Sequence, residues 1–193
     1  FLNLYSEEIS KIVIALKGKS KKCLVLDCDN TLWGGIVGED GLNGIELNRN
    51  DYPGKAFYEF QKTLLHLFER GILITLCSKN NEQDVWDVLE QHPHCLLKRS
   101  HLSAWRINWE DKASNIYSLA EQLNLGIDSF VFLDDNPTEC ELVSRLIPEV
   151  TVLHVPKKLY TYPPILFQKG LFDTLTITTE DKKRASLYQA EAQ

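Results

Sequence analysis

Four short apolar runs constrain the fold of this chain more than any other feature. They have strand length and read CLVLD (23–27), ILITLC (72–77), FVFLD (130–134) and VTVLHV (150–155). Between them, apolar residues recur at helical spacing over 54–70, 81–91 and 112–124, and a further helix is predicted to start at Asn136-Pro137. Continuous apolar runs are typical of strands buried on both faces, and their alternation with helices is typical of a parallel sheet. The sequence therefore predicts an α/β domain, a Rossmann-like parallel sheet with helices on both faces.

The remaining segments carry weaker signals. They predict a helix over 4–16, a flap over 33–53 with a hairpin around 36–37 and 45–47, a short strand at 95–98, a loop at 171–177 and a charged helix from about 180. We expect a single domain over 1–193, with its core at about 20–156 and a peripheral C-terminal tail at 157–193. The chain has no methionine, which favours a domain excised from a larger protein.

Composition excludes several classes of protein. The formal net charge of −6 argues against nucleic acid as a partner, because phosphate backbones select basic surfaces. No run approaches the ~18 apolar residues of a membrane span, so no membrane partner is expected. The five cysteines are odd in number and lack a CxxC spacing, which argues against a zinc site or a disulfide framework. A reduced, cytoplasmic setting fits this usage best.

Polar residues follow three of the predicted strands at the point where each strand ends. They form the turns Asp27-Cys28-Asp29-Asn30-Thr31, Cys77-Ser78-Lys79-Asn80 and Asp134-Asp135, and Lys112 begins the helix before the last of these strands. Ligands of open parallel sheets bind at the carboxyl ends of the strands. We therefore expect these side chains to converge on one site.

The residue types at this edge indicate phosphoryl chemistry. Clustered carboxylates repel each other unless a cation lies among them, and Mg²⁺ prefers carboxylate oxygens together with a phosphate. An aspartate can attack phosphorus and form an aspartyl-phosphate. Ser78 is predicted to hydrogen-bond a phosphoryl oxygen, and Lys112 to neutralise developing charge.

This set of motifs resembles the haloacid dehalogenase (HAD) superfamily over about residues 20–156. The resemblance implies that Asp27 is the nucleophile, Asp29 the general acid/base, Ser78 the second-motif hydroxyl and Lys112 the third-motif lysine. It also implies that Mg²⁺ is held by Asp27, the backbone carbonyl of Asp29, Asp134 and Asp135. Asn30, Thr31 and Asn80 are predicted to help bind the phosphate. Only 51 residues separate Asp27 from Ser78, and 34 separate Ser78 from Lys112, so a capless site with a short flap is expected.

A narrower resemblance extends over nearly the whole chain. The stretches LDCDNTLWGGIVGEDG, LCSKNNEQD, RINWEDKASNI and FVFLDDNPTECELV are similar to the FkbH-like branch, the glyceryl transferase/phosphatase domains of polyketide assembly lines. The resemblance implies that 1,3-bisphosphoglycerate, a small phosphorylated glycerate substrate, is dephosphorylated. It also implies that a glyceryl group is loaded, through a cysteine thioester, onto the phosphopantetheine thiol of an acyl carrier protein.

Cys77 is the predicted acyl acceptor, because Lys79 and a following helix N-terminus are expected to lower the pKa of its thiol. The alternative is that Cys77 is a small core residue. Cys28 is a rival that strand alternation should turn into the core. Trp33 is predicted either to wall the pocket or to pack the flap. Lys79 and Arg106 are candidates for holding the phosphate or the glycerate hydroxyl, with an exposed salt bridge as the alternative for Arg106.

Two other functions remain open at the level of sequence. A plain Mg²⁺-dependent HAD phosphatase would use the same aspartates and leave Cys77 structural. A non-catalytic docking module of a synthase would need none of these residues, and the complete set of acids argues against it.

Overall fold

The structure is a computed structural model that describes residues 20–156, 158 and 162–173. Within this part, five parallel strands form one sheet in the order β3-β2-β1-β4-β5. The strands are β1 (Cys23–Leu26), β2 (Leu73–Ser78), β3 (Leu102–Ile107), β4 (Phe130–Asp134) and β5 (Thr151–His154). Leu26 lies beside Leu76 of β2 and Leu133 of β4, so the three central strands end side by side.

Helices connect these strands, as their periodicity predicts. They are α1 (Val37–Asp40), α2 (Gly54–Glu69), α3 (Glu82–Gln91), α4 (Lys112–Gln122) and α5 (Pro137–Leu146), with 3-10 turns at Arg99–His101, Ile127–Ser129 and Pro163–Gly170. Asn136 caps α5 by accepting a hydrogen bond from the backbone N–H of Thr138 at 2.9 Å. None of the described helices is long and apolar enough to cross a membrane.

Alternation along the strands divides the core between the two faces of the sheet. Leu24 and Leu26 of β1 point into one apolar cluster, which contains Phe60 of α2. Cys23 and Val25 point into the other, which is covered by α4 and α5. The prediction of a parallel α/β sheet with helices on both faces is therefore confirmed.

Two weaker predictions are wrong. Residues 95–98 form no strand, and the outer strand beside β2 is β3, whose polar positions Ser103 and Arg106 interrupt the apolar run by which the other strands were identified. The predicted hairpin in the flap is replaced by the short helix α1, and only an antiparallel bridge between Gly34 and Glu46 remains. The predicted helices at 4–16 and from about 180 lie outside the described residues, as does most of the predicted loop at 171–177.

Part of the segment expected to be a peripheral tail packs into the core. Tyr162 is fully buried, and its ring stacks on that of Phe60 at a centroid distance of 4.1 Å. Its hydroxyl donates a hydrogen bond to the backbone carbonyl of Thr31, in the loop that follows β1. The backbone N–H of Lys21 donates to the carbonyl of Leu171 at 2.8 Å. Residues 162–173 therefore support the loop that carries the first aspartate pair.

Candidate active site

An open cleft of about 530 Å³ lies at the carboxyl edge of the sheet. Because the central strands run parallel and end side by side, the turns that follow β1, β2 and β4 meet there. Eight of the residues singled out from sequence line the cleft: Asp27, Asp29, Asn30, Ser78, Lys79, Lys112, Asp134 and Asp135. The fold therefore brings together most of the predicted site.

A buried lysine and three carboxylates form the floor of the cleft. The Lys112 ammonium donates to Asp27 Oδ1 at 2.6 Å and to Asp134 Oδ2 at 2.5 Å. Asp27, Asp134 and Asp135 each offer a carboxylate oxygen, and these three oxygens lie within 4.8 Å of one another. Asp134 is further fixed through its other oxygen, which accepts from the backbone N–H of Asn136 at 2.8 Å. The single positive charge of Lys112 thus lies among three carboxylates.

The electrostatics of this cluster show an excess of negative charge. Burial raises the pKa of Asp27 to about 7, against the opposing effect of the Lys112 ammonium, and the neighbouring Asp134 raises it further. Burial and Asp134 likewise raise the pKa of Asp135. Burial alone would lower the pKa of Lys112, but the two carboxylates outweigh it and hold that pKa above its usual value.

The donor set fits a hard divalent cation. Oxygen ligands from two or three carboxylates are what Mg²⁺ binds in proteins, usually alongside water and a substrate phosphate. A second cation would also relieve the repulsion that raises the pKa of Asp27 and Asp135. The side chain of Asp29 does not belong to this cluster. Its contribution to a metal, predicted through its backbone carbonyl, stays a prediction.

Three donors fix the carboxylate of Asp29 beside this cluster. Asp29 Oδ1 accepts from the indole N–H of Trp33 at 2.9 Å and from the backbone N–H of Val37 at 3.0 Å. Its Oδ2 accepts from the amide of Asn80 at 2.9 Å. Trp33 is fully buried, so it packs the flap and orients Asp29 and is not among the residues that wall the cleft. Asn80 does not line the cleft, but its amide orients Asp29 and also donates a hydrogen bond to Ser78 Oγ at 3.2 Å.

The other residues predicted to bind phosphate have different surroundings. Asn30 has a φ of 53°, and its Oδ1 accepts from the backbone N–H of Gly35 at 2.9 Å, which ties the first motif to the flap. Thr31 is fully buried, and its Oγ1 has no hydrogen-bond partner. The Lys79 ammonium pairs with Glu139 Oε1 at 2.6 Å on the wall of the cleft. Asn30 and Lys79 thus line the cleft, whereas Thr31 lies behind it.

Cys77 does not reach the cleft. The strand that places Ser78 in the site turns Cys77 towards α4, where it is fully buried and its Sγ lies 3.9 Å from the carbonyl of Lys112. The expected lowering of its thiol pKa is wrong: burial raises that pKa to about 12, although the Lys112 charge acts in the opposite direction. Cys28 is also fully buried, as strand alternation predicts, and burial raises its pKa well above the usual value.

Arg106 is also directed away from the cleft. Its guanidinium donates to Ser118 Oγ at 2.8 Å and to Gln122 Oε1 at 2.9 Å, both on α4. The reason is its position on the outer strand β3, where it lies beside Cys77 and shares the face that α4 covers. The alternative of an exposed salt bridge is not realised among the described ion pairs either.

Besides Asn136 and Pro137, which were predicted as the start of a helix, four further residues line the cleft and were not predicted from the sequence as site residues. Ile36 and Glu39 come from the flap, Trp109 from the turn after β3, and Glu139 from the first turn of α5. Glu139 carried a signal, since an acid in the first turn of a helix that follows a strand faces the same edge as the strand end. Trp109 carried a weaker signal, because it lies three residues before Lys112, which was already predicted to belong to the site.

The fold and this site together define a HAD-type phosphatase domain, and comparison with known proteins identifies its family. The chain belongs to the NLI interacting factor-like phosphatase family, whose model matches residues 22–151.

Solved structures show the same fold. The chain is similar, with 44% identity and a TM-score of 0.82, to the N-terminal part of the protein BF1531 from Bacteroides fragilis, whose crystal structure contains a phosphatase domain complexed with Mg. The match covers 86% of this chain but 44% of that one, so the chain spans less than half of its length. An uncharacterized protein from Corynebacterium glutamicum shares the fold at 9% identity, with a TM-score of 0.52 over 79% of this chain and 96% of that one. No curated protein gives a significant match.

Proposed function

We propose that this domain is a Mg²⁺-dependent phosphatase that hydrolyses phosphate monoesters through a phosphorylated Asp27. The observation that carries the proposal is the placement of Asp27 on the floor of an open cleft, bonded to Lys112 and grouped with Asp134 and Asp135. Membership of a phosphatase family and the magnesium in the BF1531 structure support it. Asp27, Asp134 and Asp135 would hold the metal, which supplies positive charge next to the phosphoryl group when bound.

The residues of the chain then divide the reaction into two steps. An oxygen of Asp27 attacks phosphorus, a new P–O bond forms, and the bond to the ester oxygen breaks while Asp29 donates a proton to the leaving alcohol. Water next attacks the phosphorus of the aspartyl-phosphate, Asp29 takes the proton of that water, and inorganic phosphate leaves as the carboxylate of Asp27 is regenerated. Lys112 stays within hydrogen-bond distance of Asp27 and offsets the charge that develops beside it.

Metal removal tests this proposal directly. We expect phosphate release from a simple ester such as ethyl phosphate to fall at least about 100-fold in excess EDTA, because three clustered carboxylates with only the Lys112 ammonium among them repel an incoming phosphate dianion. Activity should return when Mg²⁺ is added in excess of the chelator. Release of inorganic phosphate, measured by a colorimetric assay, reports both changes. Turnover that EDTA leaves unchanged would contradict a metal-dependent site.

Glyceryl transfer to an acyl carrier protein is the second candidate function. The similarity of DNTLWGG, GEDG and CSKN to the FkbH-like domains supports it. It ranks second because transfer through an enzyme thioester needs an accessible thiolate, and the thiols of Cys77 and Cys28 are buried with raised pKa values. The phosphatase function needs no such group.

One mass measurement separates the two candidates. The domain is incubated with Mg²⁺, 1,3-bisphosphoglycerate and a carrier protein that bears phosphopantetheine, and the carrier is then weighed. If the domain is only a phosphatase, the carrier keeps its mass while inorganic phosphate accumulates above the rate without the domain. A carrier that gains one glyceryl group would establish transfer, and loss of that gain in Cys77→Ala, but not in Cys95→Ala, would restore Cys77 as the acceptor.

A further inference from the structure

The mouth of the cleft exposes two large apolar side chains. Trp109 is 70% exposed, more than any other large hydrophobic side chain in the part of the chain that the structure describes, and Ile36 is 40% exposed. Both line the same cleft as the phosphoryl-handling residues. Leaving so much apolar surface in water is unfavourable, and exposed apolar surface at a cleft commonly marks a contact with a ligand.

The turn that carries Trp109 is rigid although its indole is exposed. The backbone N–H of Asn108 donates to the carbonyl of Ser78 at 3.1 Å. Asn108 Oδ1 accepts from the backbone N–H of Glu110 at 3.0 Å and from the amide of Asn115 at 2.8 Å. The residues on both sides of Trp109 are thus held by hydrogen bonds. A ligand that stacks on the indole would meet a surface that needs little ordering.

The flap holds Ile36 in the same way. The backbone N–H of Ile36 donates to Asp40 Oδ2 at 2.8 Å, and those of its neighbours Gly35 and Val37 donate to Asn30 Oδ1 at 2.9 Å and Asp29 Oδ1 at 3.0 Å. Ile36 is therefore fixed relative to the aspartate pair. Both apolar side chains belong to preorganised walls of the site.

The charges of the cleft disfavour an anionic leaving group. Six acidic side chains and two lysines line it. Lys112 is already paired with Asp27 and Asp134, and Lys79 with Glu139. The second oxygen of Glu139 is buried without a hydrogen-bond partner, and Glu39 is exposed at the rim. A metal and Lys112 suffice for the phosphate itself, but among the described lining residues no unpaired cation remains for a second anion.

We propose that the substrate is a phosphate monoester whose leaving group is uncharged and apolar, and that this group packs on Trp109 and Ile36. The inference rests on the proposed phosphatase function and names the class of ester that the function serves. A free carboxylate or a second phosphate on the leaving group is rejected by the acidic rim of the cleft. Trp109 is thus a specificity-determining residue and not part of the chemistry.

Turnover of matched esters in Mg²⁺ tests the apolar contact. We expect Trp109→Ala to lower kcat/KM for benzyl phosphate about tenfold and for ethyl phosphate less than about threefold, since a lost apolar contact costs only the substrate that makes it. Trp109→Phe should keep most of the preference for benzyl phosphate. Tyr117→Ala, which removes an exposed aromatic ring outside the cleft, is the matched control and should change neither ester. Equal losses on the two esters would overturn the contact.

A second comparison tests the charge. We expect 4-carboxybenzyl phosphate to show kcat/KM about tenfold below that of benzyl phosphate, because a like charge in the cleft is unfavourable. Glu39→Gln should narrow this difference by a few fold. Equal values for the two esters in the wild type would overturn the rejection of anions.

A binding measurement keeps the inference separate from the proposed function. Calorimetric titration of the Mg²⁺-loaded protein with benzylphosphonate and 4-carboxybenzylphosphonate needs no turnover. If no ester is hydrolysed, but benzylphosphonate binds tighter than 4-carboxybenzylphosphonate, Trp109→Ala weakens the binding of benzylphosphonate and Glu39→Gln narrows the difference between the two ligands, the inference stands and the phosphatase function fails. If all the esters are hydrolysed alike and the two phosphonates bind alike, the function stands and the inference fails.

Discussion

Asp27→Asn should lower kcat for any phosphate monoester at least about 10⁴-fold, because an amide oxygen cannot serve as the nucleophile that accepts the phosphoryl group. Asparagine has nearly the same shape as aspartate and can still accept from Lys112 at the 2.6 Å position. It removes one charge from a cluster in which burial and Asp134 already raise the pKa of Asp27 to about 7. The metal-free fold should therefore keep its melting temperature while steady-state phosphate release disappears.

Asp51→Asn is the matched control for this substitution. Asp51 is exposed, outside the cleft, and its replacement should leave both turnover and melting temperature unchanged. If Asp27→Asn kept a tenth of the wild-type rate, another group would have to be the nucleophile. Circular dichroism accompanies the assay to show that Asp27→Asn is folded, because an unfolded variant would also be inactive.

Lys112→Met should have the second largest effect, and it should affect both stability and turnover. Among the described residues, the Lys112 ammonium is the only cationic group that forms ion pairs with the carboxylates of Asp27 and Asp134. Both carboxylates are buried. Removing one partner of a buried ionic cluster leaves uncompensated charge, which costs about 3 kcal/mol of unfolding free energy. We also expect kcat to fall roughly 10²- to 10³-fold, since the charge that offsets the transition state is lost.

Urea unfolding in EDTA and in excess Mg²⁺ measures this effect. Bound Mg²⁺ would neutralise part of the charge of Asp27 and Asp134. The loss of unfolding free energy in Lys112→Met should therefore be larger in EDTA than in Mg²⁺. Lys79→Met is the control: the Lys79 side chain is 37% exposed and its ammonium pairs with Glu139, so its loss should cost no more than about 1 kcal/mol of unfolding free energy. Equal stability of Lys112→Met and wild type in EDTA would contradict the role assigned to the buried ammonium.

The sequence was sufficient for those parts of the site that depend on strand ends. Asp27, Ser78 and Asp134 each follow an apolar run, and parallel strands that start and end together must place such residues at one edge. Lys112 could be placed there as well, because it is the first residue of a helix that connects two parallel strands. Such a helix begins at the edge of the sheet where the strands end. The polar floor of the cleft was therefore predictable without knowledge of any tertiary contact.

The parts that depend on which face a side chain occupies were harder. Cys77 and Ser78 are adjacent in sequence, but alternation sends one into the core and the other into the cleft, and desolvation then dominates the pKa of the thiol. Arg106 was predicted to bind phosphate, but it lies on the outer strand β3 and its side chain packs against α4. The hydrophobic periodicity of the sequence did not predict β3. Trp109 lies in a turn, where periodicity carries no information about exposure.

Chemical trapping of Asp27 tests the central claim most directly. The Mg²⁺-loaded protein is mixed with substrate, quenched in acid during turnover and reduced with borohydride, which converts an aspartyl-phosphate to homoserine. Peptide mass spectrometry should then find homoserine at position 27, in amounts that depend on substrate and that vanish in Asp27→Asn. Turnover without any homoserine at position 27, or with homoserine at another aspartate, would contradict the account.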